Sequence, residues 1–491
     1  MNGLAYGKRR ALNEMHSIFG CQWASGMLPQ IRFMTGPEGG GEAGYRPNAD
    51  DWGVTPEISG PTHLRTSGIT QPPIVGLCAH DLFRKLTEAE RAAHLADFLA
   101  FSHGLRRFHA WLLSKRDPWG EGLALCLHPW ETGTDNSPAF DLLIEATRRY
   151  AQATNLPVHL FGRADTTHVP HRQRPTHRDY FAYFGLVALF KKLHYRQRDI
   201  IEASPFLLQD VLFNSLLAAS LLAHGHLQVE IAGLLSGSHS KGADRGELLA
   251  GAEESRELYH RVSAAIRRKL WHPDDGFFYS FDSRKNRPLP TPTVSGFGPL
   301  LPGIASDEQA ARLVEHLTRP GRFGTPVPVP STPADSPAFD PLRYWSGPSW
   351  PVTNWLVIRA LRERHNDQAL RLREVLRRST LAMIEEGAGA EHTRRAAALC
   401  MEANSVGEEF TTPSRRQYQH GWLWDSAIAA ACWPLVPTKP GPAEAAAVEV
   451  GTPGFWEYYH PHTGEPLGAP RMTWTAALYL ELLHMGDTPP S

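Results

Sequence analysis

The sequence predicts an all-α fold with irregular, aromatic-rich loops. Three observations support this: long segments carry apolar residues at helical spacing, Pro and Gly lie in the short connections between them, and strand signals are few. The alternating βαβ pattern that a doubly wound sheet or a TIM barrel requires does not occur. Residues 270–281, with a turn at 273–276 followed by an aromatic run, predict one small β-hairpin.

The predicted helices follow one another at regular spacing. Thr87 followed by Glu90 is a capping-box signature before the amphipathic segment 95–111, and Ser306 with Gln309 opens another helix. Further helices are predicted over 142–151, 211–222, 258–270, 354–361, 370–384 and 474–483. Residues 387–451 mix Ala-rich and Pro-rich pieces and interrupt the regular spacing of the helices, which indicates an insertion.

Charge and hydropathy exclude several classes of function. The 50 Lys and Arg residues nearly balance the 51 Asp and Glu residues, so the chain lacks the charge of a nucleic-acid-binding or anionic-membrane-binding protein. The longest apolar run, 216–223, is too short to span a bilayer, and residues 1–10 lack the apolar core of a signal peptide. The five cysteines are scattered and odd in number, which does not indicate a disulfide framework. We expect a cytoplasmic protein, with a homo-oligomer left open.

Two loop segments contain acidic residues placed for sugar chemistry. In 128–138, Glu131 and Asp135 lie in a turn bounded by Gly and Pro beside Trp130, and in 454–464 Glu457 is framed by aromatic residues. Glycoside hydrolysis needs two carboxyl groups that flank the scissile bond. A carboxyl group pressed against aromatic faces has a raised pKa, as a general acid requires, whereas a solvated one stays ionised as a base. The alternative for Asp135 is a helix cap before the segment that starts at Phe140.

The chain also carries ordered motifs that resemble those of a known family. These are Gln22-Trp-Ala-Ser-Gly-Met-Leu-Pro29, Ser67-Gly-Ile-Thr-Gln-Pro-Pro73, Arg163 with Asp165 and Thr166, Arg174-Pro-Thr176 with Asp179-Tyr180, Tyr344-Trp-Ser-Gly-Pro-Ser-Trp-Pro351, Thr463-Gly-Glu-Pro-Leu-Gly468 and Trp474-Thr-Ala-Ala477. With the two acidic segments they resemble glycoside hydrolase family 63, and within it the bacterial mannosylglycerate and glucosylglycerate hydrolases. The resemblance covers roughly residues 8–386 and 452–484.

The resemblance implies one (α/α)6-barrel domain over 1–491 that hydrolyses an α-linked glucose or mannose with inversion. By motif, Asp135 is the expected general acid and Glu457 the general base, with their carboxyl groups about 6.5–9.5 Å apart. Arg174 is the candidate for binding a glycerate carboxylate, since a guanidinium suits a planar bidentate contact. An ordinary ion pair is the alternative for this arginine. The expected sugar subsite consists of Trp23, Gln71, Trp130, Tyr344, Trp345 and Gly347.

The chain departs from the family pattern in three respects. Family members begin with a segment that contains Trp-Asp-Ser, whose Asp binds sugar hydroxyls; here a first barrel helix is expected to be missing, as in a truncated gene. The insertion contains Gln419-His-Gly-Trp-Leu-Trp-Asp-Ser-Ala427, which resembles that motif. We hypothesise that it takes the place of the missing helix, so that Trp424 and Asp425 face the cavity beside Glu457; an unrelated surface helix is the alternative. Ser346 stands where the family usually has Arg.

Two other functions stay open from the sequence alone. One is an oligosaccharide α-glucosidase that uses the same carboxyl groups. The other is a catalytically inactive, sugar-binding remnant. No metal or other cofactor is expected, because the clustered histidines at 168–177 and 460–462 do not have the spacing of zinc ligands. The motifs do not distinguish glucose from mannose.

Overall fold

The computed structural model describes residues 6–33, 46–156, 158, 163–166, 169–235, 242–301, 303–362, 367–385, 393–394, 397, 401, 420–436, 455–469 and 472–487. The helices are α1 (Tyr6–Gly20), α2 (Ala49–Trp52), α3 (Val75–Lys85), α4 (Glu88–Ala93), α5 (Leu95–Lys115), α6 (Asp141–Ala153), α7 (His177–Lys192), α8 (Gln197–Ala203), α9 (Val211–Leu234), α10 (Gly242–Lys269), α11 (Asp307–Thr318), α12 (Pro351–Arg362), α13 (Asp367–Glu385), α14 (Leu423–Cys432) and α15 (Thr473–Asp487).

The strands are short. They are β1 (Ile31–Phe33), β2 (Arg65–Thr66), β3 (Leu208–Gln209), β4 (Trp271–His272), β5 (Phe277–Phe278), β6 (Phe281–Asp282), β7 (Arg287–Pro288), β8 (His420–Trp422), β9 (Tyr458–Tyr459) and β10 (Pro466–Leu467). The predicted hairpin is confirmed, since β4 pairs antiparallel with β5. Both predicted capping boxes are also present, at Thr87 with Glu90 and at Ser306 with Gln309.

The inner layer of the fold is a closed ring. Its members contact one another in the order α14, α3, α9, the 3₁₀ segment Val294–Leu300, α12 and α15, and α15 contacts α14 again. Helix α9 is apolar on all sides and buried along most of its length, as an inner helix must be. The outer helices are amphipathic; α11, for example, buries Ala310, Leu313, Val314 and Leu317 against the ring.

Helix α14, which we call the closing helix, fills the ring position that the sequence predicted to be empty. It packs against α3 and α15 on the inside and against α1 on the outside. The strand before it, β8, pairs antiparallel with β1, with Trp422 opposite Ile31. At the other end, the Lys85 ammonium donates to the backbone carbonyl of Ala431 at 2.8 Å, and so satisfies a carbonyl of the last turn. The alternative of an unrelated surface helix is wrong. Most of the predicted insertion 387–451 lies outside the described residues.

Helices α6 and α7 pack on each other next to the ring. Helix α7 begins with a capping box at Thr176 and Asp179 and brings Tyr180 and Tyr183 to the loop that contains Asp135. Within the part of the chain that the structure describes, every helix is too short or too polar to traverse a bilayer.

Candidate active site

A cavity of about 280 Å³ opens where loops from several ring members meet. Its wall contains nine of the eleven residues predicted for the site: Gln71, Trp130, Asp135, Arg174, Tyr344, Trp345, Trp424, Asp425 and Glu457. The sequence reasoning did not assign these further lining residues to the site: Gln30, Arg46, Gly133, Arg163, Asp165, Pro175, Tyr180, Phe184, Ala469, Met472 and Trp474.

Asp135 lies on a tight loop that follows the 3₁₀ turn Pro129–Thr132. Gly133 ends that turn with a φ of 73°, a left-handed conformation that favours glycine. Helix α6 begins at Asp141 without a side-chain cap, so the helix-cap alternative for Asp135 is wrong. Burial of this carboxyl group, with a smaller contribution from the nearby charge of Glu457, raises the pKa of Asp135 to about 7. The group is therefore substantially protonated at neutral pH, as a general acid must be.

Glu457 lies directly before β9 and has a contrasting environment. Its Oε1 accepts from Arg174 Nη1 at 2.9 Å, and its Oε2 accepts from Arg174 Nη2 at 2.7 Å and from the backbone N–H of Ala469 at 3.0 Å. These charge-assisted bonds hold the carboxylate in one orientation. The backbone at Gly468 can lie this close to Glu457 because glycine has no side chain; a Cβ there would lie 2.8 Å from Oε2. Although it is ion-paired, Glu457 still lines the cavity.

The position of Arg174 corrects the prediction that it binds glycerate. Both terminal nitrogens of its guanidinium bind Glu457, so its bidentate face is occupied by the protein's own carboxylate. The ring of Tyr344 lies 5.1 Å from the guanidinium carbon and covers it. Arg174 orients the second acid of the site.

The closing helix contributes Trp424 and Asp425 to the cavity wall. Its first turn is fixed by the Gln71 side chain, whose Oε1 accepts the backbone N–H of Trp424 at 3.1 Å. The edge of the indole lies against Gly133, where a Cβ would come within 1.8 Å of the ring. Burial, and then the charge of Glu457, raises the pKa of Asp425 to about 7. The closing helix and the Asp135 loop are thus in direct contact.

Five buried polar atoms in the cavity wall have no hydrogen-bond partner among the described residues. They are Oε1 of Gln30, Oδ1 of Asp425, Nε of Arg174 and the indole nitrogens of Trp424 and Trp474. An unpaired buried polar atom costs free energy, roughly 1–3 kcal/mol, unless a ligand or water satisfies it. Two acceptors and three donors on aromatic walls are suited to bind the hydroxyl groups and apolar faces of a sugar.

Trp23 and Gly347 do not line the cavity, which corrects two predictions. The Trp23 indole is buried in the core and donates to Thr66 Oγ1 at 3.0 Å. Gly347 allows two backbone segments to approach, since a Cβ there would lie 2.3 Å from the carbonyl oxygen of Asp340. Ser346 also lies outside the cavity wall, with its hydroxyl 3.4 Å from the side-chain nitrogen of Asn136. A motif thus locates the site without showing which side chains face it.

Two arginines line the cavity in addition to Arg174. The Arg163 guanidinium stacks 3.9 Å from the ring centre of Tyr180 and is paired with Asp165, and Arg46 is paired with Asp51. Arg163 belongs to a motif that the sequence analysis identified. Arg46 had no such signal. Among the described residues, no group of three or more His, Cys, Asp and Glu side chains is arranged to hold a metal ion.

Similarity to known proteins identifies the family of the chain. The family model for the mannosylglycerate hydrolase MGH1-like glycoside hydrolase domain matches residues 1–394. A mannosylglycerate hydrolase from Rubrobacter radiotolerans is 30% identical over 98% of this chain and 88% of its own length. A glucosylglycerate hydrolase from Mycolicibacterium hassiacum is 26% identical over 96% of this chain and 87% of its own length. The crystal structure of the GH63 mannosylglycerate hydrolase from Thermus thermophilus in complex with Tris superposes with a TM-score of 0.68 at 26% identity, covering 97% of this chain and 94% of that chain.

A closed ring of helices around an aromatic-walled cavity that contains carboxyl groups is the architecture of an (α/α)6-barrel glycoside hydrolase. The fold is shared with the Thermus enzyme. The chain belongs to the mannosylglycerate hydrolase MGH1-like members of glycoside hydrolase family 63, and it is an enzyme. The expected N-terminal truncation is not supported, because the alignment covers 88% of the length of the Rubrobacter relative and the closing helix occupies the ring position in question.

Proposed function

We propose that the enzyme hydrolyses glucosylglycerate or mannosylglycerate with inversion at the anomeric carbon. The observation that carries this proposal is one small cavity in which Asp135 and Glu457 have opposite electrostatic environments. Asp135, with its raised pKa, donates a proton to the glycosidic oxygen. Glu457, oriented by Arg174, accepts a proton from the water that attacks the anomeric carbon from the other side.

The size of the cavity favours a small glycoside, and two arginines in its wall are candidates for binding an anionic group. About 280 Å³ is at the lower end of ligand cavities, which span roughly 300–1,000 Å³, so one sugar with a short aglycone suits it better than a long oligosaccharide. Arg46 and Arg163 line the same cavity, and we propose that a carboxylate of the substrate competes for one of them with its own partner, Asp51 or Asp165. The relatives from Rubrobacter and Mycolicibacterium are named for mannosylglycerate and glucosylglycerate.

The closing helix completes the proposed sugar subsite. Asp425 Oδ1 accepts from a sugar hydroxyl, and the two indole N–H groups of Trp424 and Trp474 donate to others. Each of these contacts satisfies a group that has no partner among the described residues, so they favour a ligand that carries hydroxyls on more than one side.

A substrate panel tests this function. Sugar release is measured from glucosylglycerate, mannosylglycerate, the corresponding glucosides and mannosides of glycerol, and a set of α-linked glucose disaccharides. We expect kcat/KM for one glycerate glycoside to exceed that for its uncharged glycerol counterpart by about tenfold or more, because one charge-assisted contact is lost. Faster turnover of the disaccharides would favour the oligosaccharide α-glucosidase. Sugar binding without turnover of any substrate would favour the inactive remnant.

The pKa of Asp135 predicts the alkaline limb of the activity profile. Its raised value means that the protonated, proton-donating form is lost as pH rises through about 7, so kcat/KM should fall above that pH. The measurement is kcat/KM on the preferred glycoside between pH 5 and 9 (a range set by the ~7 midpoint). Because Asp425 also has a pKa near 7, Asp425→Asn is the control, and its residual activity should keep the alkaline limb. A profile flat to pH 9 would contradict the assignment of Asp135.

A further inference from the structure

Arg116 and Glu131 form an ion pair that is almost completely buried, with 1% and 0% of their side chains exposed. Arg116 Nη1 and Nη2 donate to the two carboxylate oxygens of Glu131 at 2.8 and 2.7 Å. Neither residue lines the cavity. Removal of two charges from water is costly, so a buried pair contributes little to net stability, and its role has to be sought in what it holds in place.

The Glu131 carboxylate connects two loops of the active site. Besides Arg116, it accepts the backbone N–H of Leu127 at 2.7 Å and that of Thr70 at 3.3 Å. Leu127 begins the loop that leads to Asp135. Thr70 precedes Gln71, whose side chain fixes the first turn of the closing helix. One carboxylate therefore sets the distance between the Asp135 loop and the segment that supports Asp425.

The path from Glu131 to Asp135 is short and internally bonded. Glu131 lies within the 3₁₀ turn Pro129–Thr132. The Thr132 hydroxyl donates to the carbonyl of Pro129 at 2.8 Å and accepts the backbone N–H of Thr134 at 3.0 Å. Gly133 is then packed against Trp424. A shift of the Glu131 carboxylate should therefore move Asp135 as well, because the bonded and packed residues between them cannot rearrange freely.

Arg116 ties this assembly to the helical scaffold. It directly follows α5, and its guanidinium also donates from Nε to Gln197 Oε1 at 2.6 Å and from Nη1 to the carbonyl of Leu125 at 3.0 Å. The planar, five-donor geometry of arginine allows it to hold Glu131 and the two other acceptors in a fixed arrangement, which a lysine ammonium cannot do.

We propose that Arg116 and Glu131 are positioning residues that place Asp135 for proton donation to the glycosidic oxygen. The inference rests on the proposed function, in which Asp135 is the general acid. Glu131, which the sequence offered as an acid beside Asp135, then acts from behind the loop and never touches substrate.

The test compares two substrates of the same enzyme preparation. An α-glycosyl fluoride of the preferred sugar needs no proton on its leaving group, whereas the glycerate glycoside does. Glu131→Gln should lower kcat on the glycerate glycoside by about 100-fold, since misplacement of a catalytic group by about 1 Å costs this much. Its kcat on the fluoride should fall less than about tenfold and its KM values should change little, because the attacking side of the site is intact. The ratio of the two rates does not depend on the folded fraction.

Three further variants make the outcome decisive. Arg116→Lys keeps the buried positive charge but loses the two parallel guanidinium donors that bind Glu131. It should show the same selective loss of kcat on the glycerate glycoside. Asp81→Asn breaks another ion pair of the barrel, with Arg359 Nη2 at 2.8 Å, away from the cavity; its melting temperature should fall while the rate ratio stays that of wild type. Equal losses on both substrates in Glu131→Gln and Arg116→Lys, with Asp135→Asn still selective for the glycoside, would overturn the positioning role alone. Equal losses in Asp135→Asn would overturn the acid assignment and the inference together.

Discussion

Asp135→Asn and Glu457→Gln each lower kcat on the preferred α-glycoside by about 10³-fold or more. An amide cannot donate the proton that the departing oxygen needs, nor accept one from water, and each of these functions contributes about 10²–10⁴-fold to the rate. The fold should survive both changes. Amide replacement of Asp135 removes a carboxyl group that is costly to ionise where it lies, and Gln at 457 retains an acceptor for the Arg174 guanidinium. The rates are measured with saturating substrate, and folding is checked by circular dichroism and melting temperature.

Asp141→Asn is the matched control for these variants. Asp141 lies six residues after Asp135, and partial desolvation raises the pKa of its carboxyl to about 6, with Asp179 as a second cause. It does not line the cavity. This variant should retain kcat within about twofold, because an acid outside the cavity has no contact with substrate. If Asp141→Asn were as inactive as Asp135→Asn, or if either cavity variant kept near wild-type turnover, the two-carboxyl assignment would be wrong.

Asp425→Ala lowers kcat/KM by about 100-fold or more, although residue 425 is nearly three hundred positions from Asp135 in the sequence. The substitution removes a buried acceptor that has no partner in the described part of the chain, and a hydrogen bond from a substrate hydroxyl to a charged group is worth about 1.5–3 kcal/mol. The measurement is kcat/KM on the intact glycoside and on its 2-, 3- and 4-deoxy forms. For one of these hydroxyls, its removal from the substrate should lower kcat/KM much less in the variant than in the wild type. That hydroxyl is the one that Asp425 binds.

Ser426→Ala provides the control for the closing helix. Ser426 is the next residue, is buried in the same helix and lies outside the cavity wall. Activity should therefore stay close to wild type. Wild-type activity in Asp425→Ala would show that the closing helix completes the ring without taking part in sugar binding.

Much of this arrangement could be predicted, since the motifs identify chemistry by residue type and order. Asp135, Glu457 and the aromatic residues around them were recognised from loops in which carboxyl groups adjoin Trp and Gly. The displaced Trp-Asp-Ser segment is identified only by its resemblance to the family motif, and its place in the ring follows from a simple property of closed rings, in which the first and last members are neighbours.

Partners that are distant in sequence could not be predicted in this way. The ion pair between Arg174 and Glu457 joins residues 283 positions apart, and no local pattern distinguishes it from a substrate-binding arginine. Trp23 lies in a motif close to the site, but helix and loop geometry turn its indole towards Thr66. Arg46 and Met472 reach the cavity from segments without a motif. These contacts depend on how the ring is closed, which only the three-dimensional structure reveals.

The stereochemistry of the first product tests the central claim most directly. Wild-type enzyme is mixed with the α-glycoside in deuterated buffer, and the anomeric proton of the released sugar is followed by NMR before mutarotation sets in. An acid and a base on opposite sides of the bond predict that the β-anomer appears first and that the α-anomer grows in only with time. An α-anomer released first would contradict the account, because it would require one of the two carboxyl groups to attack the sugar itself.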